Sequence, residues 1–188
     1  MDTKILSGKD VSITTYQALQ SRIKALKSQS VVPGLAVLLV GEDAGSQIYV
    51  RNKTKKFADL NLHSNTFQYS SSISQEDLLL KIRELNNDDR FHGILVQLPL
   101  PKHIDEHKVL RAMDPKKDVD GFHPFNLGLL AAGKPYFIPC TPKGIMRILA
   151  HYQINLSGKN VVVVGRSNIV GRPISILTSL KQEYANAT

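Results

Sequence analysis

The sequence predicts an α/β fold: an amino-terminal α/β domain with a mostly parallel sheet, followed by the opening of a second, doubly wound unit. Two kinds of observation predict it. Short apolar runs at Leu35–Val40 and Phe91–Leu98 read as buried strands, and segments of helical period separate them. Nearer the end, Val161-Val-Val-Val164 runs into a turn bounded by Gly165 and Gly171, and Pro173 opens a helix. Strands alternating with helices imply right-handed β-α-β units, with functional residues at the carboxyl ends of strands.

Over residues 10–28, Ile13, Tyr16, Leu19, Ile23 and Leu26 recur at steps of three and four, the period of an amphipathic helix. Pro33-Gly34 breaks the chain before the Leu35–Val40 strand, which Gly41 closes. A helix is expected from about Ala44 to Leu60, and a second strand over Thr66–Tyr69. Ser74-Gln-Glu-Asp77 has the spacing of a helix N-cap, for a helix ending near Asn86. The third strand ends in Gln97-Leu-Pro-Leu-Pro101, and after a short helix Asp114-Pro-Lys-Lys-Asp-Val-Asp-Gly121 is rich in turn residues. Both segments belong on the rim of the sheet. Between 122 and 140 the pattern loosens around Pro124, Gly128, Gly133, Pro135 and Pro139, so the domains are expected to be 1–138 and 139–188. Thr141-Pro142 then reads as an N-cap and first helical position, with Ile145, Ile148 and Leu149 as the apolar face.

Composition bounds the classes open to the chain. Its 188 residues are 42% hydrophobic and 21% charged, close to ordinary globular usage, and no apolar run approaches the ~20 residues that cross a bilayer. Met1-Asp-Thr-Lys4 lacks the basic and apolar regions of a signal peptide, and the single Cys140 fits a reducing compartment, so a cytoplasmic location is expected. The net charge of +8 points to a negatively charged partner. The basic residues are nevertheless scattered, Arg51, Lys53, Lys55 and Lys56 wrap around a helix, and no basic segment is interleaved with aromatics; neither nucleic acid nor membrane is expected as a partner.

Several residues have the chemistry and placement of site residues. Tyr49 and Lys53, four apart on the second helix, share a face and set an aromatic plate beside an amine, although the same spacing describes a solvated lysine by a half-buried tyrosine. A lysine acts as a base only when burial or a neighbouring positive charge brings its pKa from ~10.4 toward ~7 to 8. Gln97 ends a strand before restrictive prolines, where its amide either enters a cleft or bonds its own loop. Asp118 and Asp120 alternate along the loop, so both carboxylates can face one ligand, or one can cap while the other binds. His103 and His107 have helical metal-ligand spacing without a third ligand, so no metal is expected, and Cys140 has no evident base. The turn Gly165-Arg-Ser-Asn-Ile-Val-Gly171 departs from G-x-G-x-x-G. A strand before it, a helix N-terminus after it, and the charges of Arg166 and Arg172 still suit a dinucleotide's phosphates.

Taken together, Tyr49-Val-Arg-Asn-Lys53, Gly93-Ile-Leu-Val-Gln-Leu-Pro-Leu-Pro101, Lys117-Asp-Val-Asp-Gly121, Pro139-Cys-Thr-Pro-Lys-Gly144 and Gly165 through Pro173 resemble five motifs of the bifunctional methylenetetrahydrofolate dehydrogenase/cyclohydrolase family. They come in order over essentially the whole chain. The resemblance implies a Rossmann-type NAD(P)-binding domain from 139. It implies oxidation of 5,10-methylenetetrahydrofolate with NADP, NAD remaining open, then hydrolysis to 10-formyltetrahydrofolate, reactions of one-carbon metabolism that feed purine biosynthesis. By the same resemblance Lys53 is the catalytic lysine, Gln97 positions it, Tyr49 packs on the folate, and Asp120 holds the pterin edge. The resemblance also implies that Gly165, Arg166, Ser167, Ile169, Gly171 and Arg172 hold the cofactor and that the enzyme is a homodimer. Family members run on beyond Thr188, so the chain reads as an amino-terminal portion. Two alternatives accompany this expectation: a non-catalytic folate-binding or dimerising module, and a dehydrogenase of another small substrate.

Overall fold

The computed structural model describes residues 3–188. The chain divides into two compact units, Arg22–Val119 and a second that joins the segment up to Ser21 with Asp120–Thr188. The boundary falls inside the first helix, α1 (Gly8–Lys27).

The 22–119 unit is built on a three-stranded parallel sheet of β1 (Gly34–Val40), β2 (His63–Tyr69) and β3 (Gly93–Val96), in the order β2-β1-β3. Leu35 pairs with both Ser64 and Gly93, so β1 is central and buried along its whole length. Its uninterrupted apolar sequence suits a strand covered on both faces. Leu35, Val37 and Leu39 pack with Leu95 and with Val50 of α2 (Ala44–Asp59), joined by Phe57 and Val119. Right-handed crossovers running in opposite directions across the sheet place α2 and α3 (Gln75–Asn86) on opposite faces. Ser74 caps α3 as its spacing predicts, accepting a hydrogen bond from the Asp77 amide at 3.1 Å. At the other end, Lys117 Nζ donates to the Leu85 carbonyl in the last turn and to the Asp88 carbonyl just beyond it, at 3.0 Å each. Asn86 ties α3 to α4 (Glu106–Ala112), donating to the Ala112 carbonyl and accepting from the Asp114 amide, both at 2.8 Å.

Strand bounds shift from those expected. β2 begins earlier, at His63, because its parallel register with β1 starts at Gly34. β3 stops at Val96, and the Gln97 amide still donates to the Leu38 carbonyl at 2.9 Å before the cis Leu98–Pro99 bond turns the chain.

The other unit contains α5 (Pro124–Ala131), α6 (Cys140–His151) and α7 (Gly171–Ser179), with α7 packed against both of the others. Three local expectations are corrected here. The loose 122–140 stretch contains a helix, α5, capped by His123 Nδ1, which accepts from the Phe125 amide at 3.0 Å. α6 starts at Cys140 with Pro139 at the cap and no side-chain cap bond, so Thr141 lies inside the helix. Pro142 is tolerated there because the first amides of a helix have no internal partner. The valine run belongs to no strand: Val162 is 87% and Val164 98% exposed. Sheet-like bonds join the residues just before it to the last residues, with the Gly158 amide donating to Asn186 and Thr188 to Lys159, and within the run Val161 donates to Thr188, all at 2.9–3.1 Å. The spacing of those bonds is that of a parallel pair, and it ends before Val162.

No helix among the described residues is long and apolar enough to cross a membrane.

Candidate functional site

Sheet topology locates the first group of residues. With β1 central, the chain leaves it toward β2 and later returns to β3, so the switch point lies beyond the carboxyl ends of β1 and β3. After β1, the turn at Gly41 leads to Asp43, whose Oδ2 accepts the Ser46 amide at 2.7 Å and starts α2. That backbone hydrogen bond favours the charged form and holds the Asp43 carboxyl below its ordinary value. The cap fixes the helix start, and buried Val50 fixes its rotation against the sheet. Tyr49 is thereby left 57% exposed, and Lys53 Nζ lies over its ring, 4.5 Å from the centroid. The pair is thus a cation–π contact on the open side of α2, worth about 0.5–1 kcal/mol at an exposed site.

Gln97 sits at the end of β3, half-buried, and its Nε2 donates to the carbonyl of the next residue, Leu98, at 2.8 Å. One of the two readings open for this residue is therefore realised: the amide bonds its own loop. The same bond fixes which end is presented, leaving Oε1 to accept from a cation or an N–H donor.

The two aspartates of the loop separate. The Ile94 amide donates to the Lys117 carbonyl at 2.7 Å, and Ile94 pairs with Asp118 in a parallel bridge, so this segment runs beside β3 and Asp118 is 0% exposed. Asp120 follows in the other unit and is only half-buried. Of the two aspartates, Asp120 is the more exposed.

In that same unit, the Gly165–Gly171 turn is closed by Ser167. Its Oγ accepts from the amides of Val170 at 3.1 Å and Gly171 at 3.2 Å, while its carbonyl accepts from Arg172 at 3.0 Å. Gly165 has φ +148°, and a Cβ on Gly171 would lie 2.6 Å from the Gly165 carbonyl. The turn therefore depends on close backbone approach, as a phosphate-binding turn does. Arg166, Ile169 and Arg172 are exposed around it, and a cavity of about 360 Å³ between α5 and the start of α7 is lined by Leu127, Asn168, Arg172 and Ile176. Glycine at the tight turn, a helix N-terminus and two guanidinium groups fit a dinucleotide with phosphate charge.

The structure thus brings Tyr49 and Lys53 together, fixes Gln97 at the sheet end, and gathers the six residues of the glycine turn. Sequence reading missed Asp43 and Asn168. Asp43 carried a signal, since an aspartate directly before a helical period is an N-cap pattern. Asn168 carried none. Among the described residues no group of three or more His, Cys, Asp or Glu side chains is placed to hold a metal. His103 instead pairs through Nε2 with the Ile73 carbonyl at 2.9 Å.

The sequence matches the family described as tetrahydrofolate dehydrogenase/cyclohydrolase, catalytic domain, over residues 6–120, and its NAD(P)-binding domain over 139–188. It is 52% identical over 177 residues to the bifunctional protein FolD of Enterococcus faecalis, covering 94% of this chain and 63% of that one. The crystal structure of FolD methylenetetrahydrofolate dehydrogenase/cyclohydrolase from Campylobacter jejuni superposes with a TM-score of 0.89 at 44% identity, covering 92% of this chain and 62% of that one. A Trypanosoma brucei FolD, complexed with NADP cofactor and inhibitor, gives 0.90 at 32% identity, covering 94% of this chain and 61% of its own. The chain spans a little under two thirds of the length of each.

Proposed function

The chain belongs to the tetrahydrofolate dehydrogenase/cyclohydrolase family, and on that premise we propose that it acts on 5,10-methylenetetrahydrofolate, oxidising it to the methenyl form with NADP and hydrolysing that product to 10-formyltetrahydrofolate. The observation that carries the reading is the Tyr49–Lys53 pair, an amine held 4.5 Å over an exposed aromatic ring on the helix that follows the central strand. A flat pterin stacks on Tyr49, which brings its one-carbon unit to Lys53. The methenyl product is a cation, and a positive charge beside Lys53 favours its neutral amine, which takes a proton from water as the water adds to the methenyl carbon. One C–N bond of the adduct then breaks as the protonated lysine returns its proton to the departing nitrogen and the hydroxyl proton is lost to water, which leaves the formyl group. Gln97 Oε1 accepts from the lysine and holds it in line, and Asp120 accepts the paired N–H donors of the pterin edge.

The cofactor's part is to accept hydride from the methylene carbon. Gly165, Arg166, Ser167, Ile169, Gly171 and Arg172 hold it, and the two arginines favour NADP over NAD because the former carries an additional phosphate. This reading divides the chain at 138/139, makes the protein cytoplasmic and makes it a homodimer.

The exposed Val162 and Val164 favour a second reading, in which the chain binds folate, or dimerises, without hydride transfer. One set of assays tests both. NADP-dependent absorbance change and hydrolysis of methenyltetrahydrofolate by the chain support the first reading. Folate binding or dimerisation in analytical ultracentrifugation with neither activity supports the second, and a monomer with neither folate binding nor activity refutes the pair.

A further inference from the structure

The back of α2 holds a second concavity, of about 420 Å³, lined by Gln47, Arg51 and Thr54 of the helix, Thr66 and Gln68 of β2, and Leu39 of β1 beneath. Its origin is topological. Among the described residues β2 is an edge strand, so α2 crosses the sheet beside a strand with no outer neighbour there, leaving a trough at its flank. Gln47, Arg51 and Thr54 recur at steps of four and three and share one face of α2. At 3.6 residues per turn, about 200° of rotation separates Arg51 from Lys53, so this face is turned away from the Tyr49–Lys53 pair. Thr66 and Gln68 alternate with Phe67, whose ring turns to the opposite side and meets Phe91 edge-on at 5.9 Å.

The lining is chemically one-sided. Arg51 is its only charged member, and the side chains of Gln47, Arg51, Thr66 and Gln68 make no hydrogen bond or ion pair within the described residues. Arg90, by contrast, is held by Asp88 through Nε and Nη2. Thr54 donates to the Val50 and Arg51 carbonyls at 3.2 and 3.1 Å and so offers only lone pairs. The floor is apolar, with Leu39 and Val50 each 4% exposed.

We propose that this face of α2 binds a small organic anion. Arg51 takes the carboxylate or phosphate through its planar fork, the amides of Gln47 and Gln68 and the hydroxyl of Thr66 meet its remaining polar atoms, and its apolar body rests on Leu39 and Val50. The site is separate from the Tyr49–Lys53 face proposed for folate and is carried by the same helix.

The test is a ¹H–¹⁵N titration of the chain with benzoate and, separately, phenyl phosphate at fixed ionic strength. Saturating shifts at the amides of Gln47, Arg51, Thr66 and Gln68, with a Kd near or below about 1 mM, are expected for at least one probe. The tighter probe distinguishes carboxylate from phosphate recognition. Arg51→Met weakens binding at least about tenfold, the loss expected for a charge-assisted hydrogen bond, and Gln68→Leu weakens it several-fold. Non-saturating shifts spread over the basic surface, or binding by Arg51→Met at the affinity of the unmodified chain, overturn the proposal.

Discussion

Substituting alanine for Gly171 tests whether the glycine turn depends on close backbone approach. The added Cβ would stand 2.6 Å from both the carbonyl carbon and oxygen of Gly165 and 2.7 Å from the Arg166 nitrogen. All three are backbone atoms, so no side chain can swing aside, and ordinary contact near 3.5 Å requires the turn to open by about an ångström. Overpacking of this kind costs about 1–3 kcal/mol, and a position walled by backbone belongs in the upper half of that range. Alanine recovers up to about 1 kcal/mol over glycine in a helix, which leaves a net loss of ~1–2 kcal/mol. For a chain of this length that lowers Tm by roughly 2–8 °C. Gly144→Ala is the matched control: it lies inside α6, and beyond the helix's own backbone nothing comes within 4 Å of its added Cβ, so it stabilises by about 0.5–1 kcal/mol. Thermal denaturation followed by circular dichroism reads both. A Gly171→Ala protein that melts with or above the unmodified chain refutes the argument, whatever its effect on NADP binding.

Lys53→Met should slow hydrolysis of methenyltetrahydrofolate by about 10²-fold or more, the usual contribution of a positioned general base, and full activity in a spectrophotometric assay would remove Lys53 from the mechanism. Gln97→Glu sets a carboxylate oxygen against the Leu98 carbonyl in place of an N–H donor, and urea denaturation should show a loss of about 1–3 kcal/mol. Arg90 hydrogen-bonds the Asp88 side chain and holds its pKa at about 2, below its unfolded value; the resulting stability is present above about pH 4 and is lost as pH falls toward 2. Arg90→Ala should flatten that part of an acid-denaturation curve, and an unchanged curve counts against the pair. Val162→Thr with Val164→Thr should change stability by no more than about 0.5 kcal/mol per site, because both side chains already face solvent; a larger loss would mean that they are covered in solution.

Local chemistry was legible because it needs only neighbours in the sequence. Ser74 caps α3 because its hydroxyl oxygen lies within reach of the amide three residues on, whatever surrounds the helix. Tyr49 and Lys53 meet because four residues return a helix to the same face. The Leu35–Val40 run could be read as buried because a fully covered strand must be apolar on both sides. The same reasoning failed on Val161–Val164. The pattern states what a strand requires, and whether neighbouring strands are there to meet it is decided elsewhere: among the described residues Val161 bonds to Thr188, and the pairing stops short of Val162. Thr141 failed differently. A cap pattern was present, but Pro139 and Cys140 entered the helix path first.

The sequence by itself determined the alternation of strands and helices, the glycine turn and the types of side chain available for chemistry, since these follow from period, covalent geometry and spacing. Tertiary structure alone decided which of two aspartates is buried, because Asp118 is covered through a bridge to Ile94, a residue distant in sequence. It also decided that Gln97 presents its oxygen, since its nitrogen is held by a loop carbonyl. The back of α2 became a trough through the position of β2 at the sheet edge. Each of these outcomes depends on which strands are neighbours, and a sheet's strand order is set by long-range pairing that no local pattern encodes.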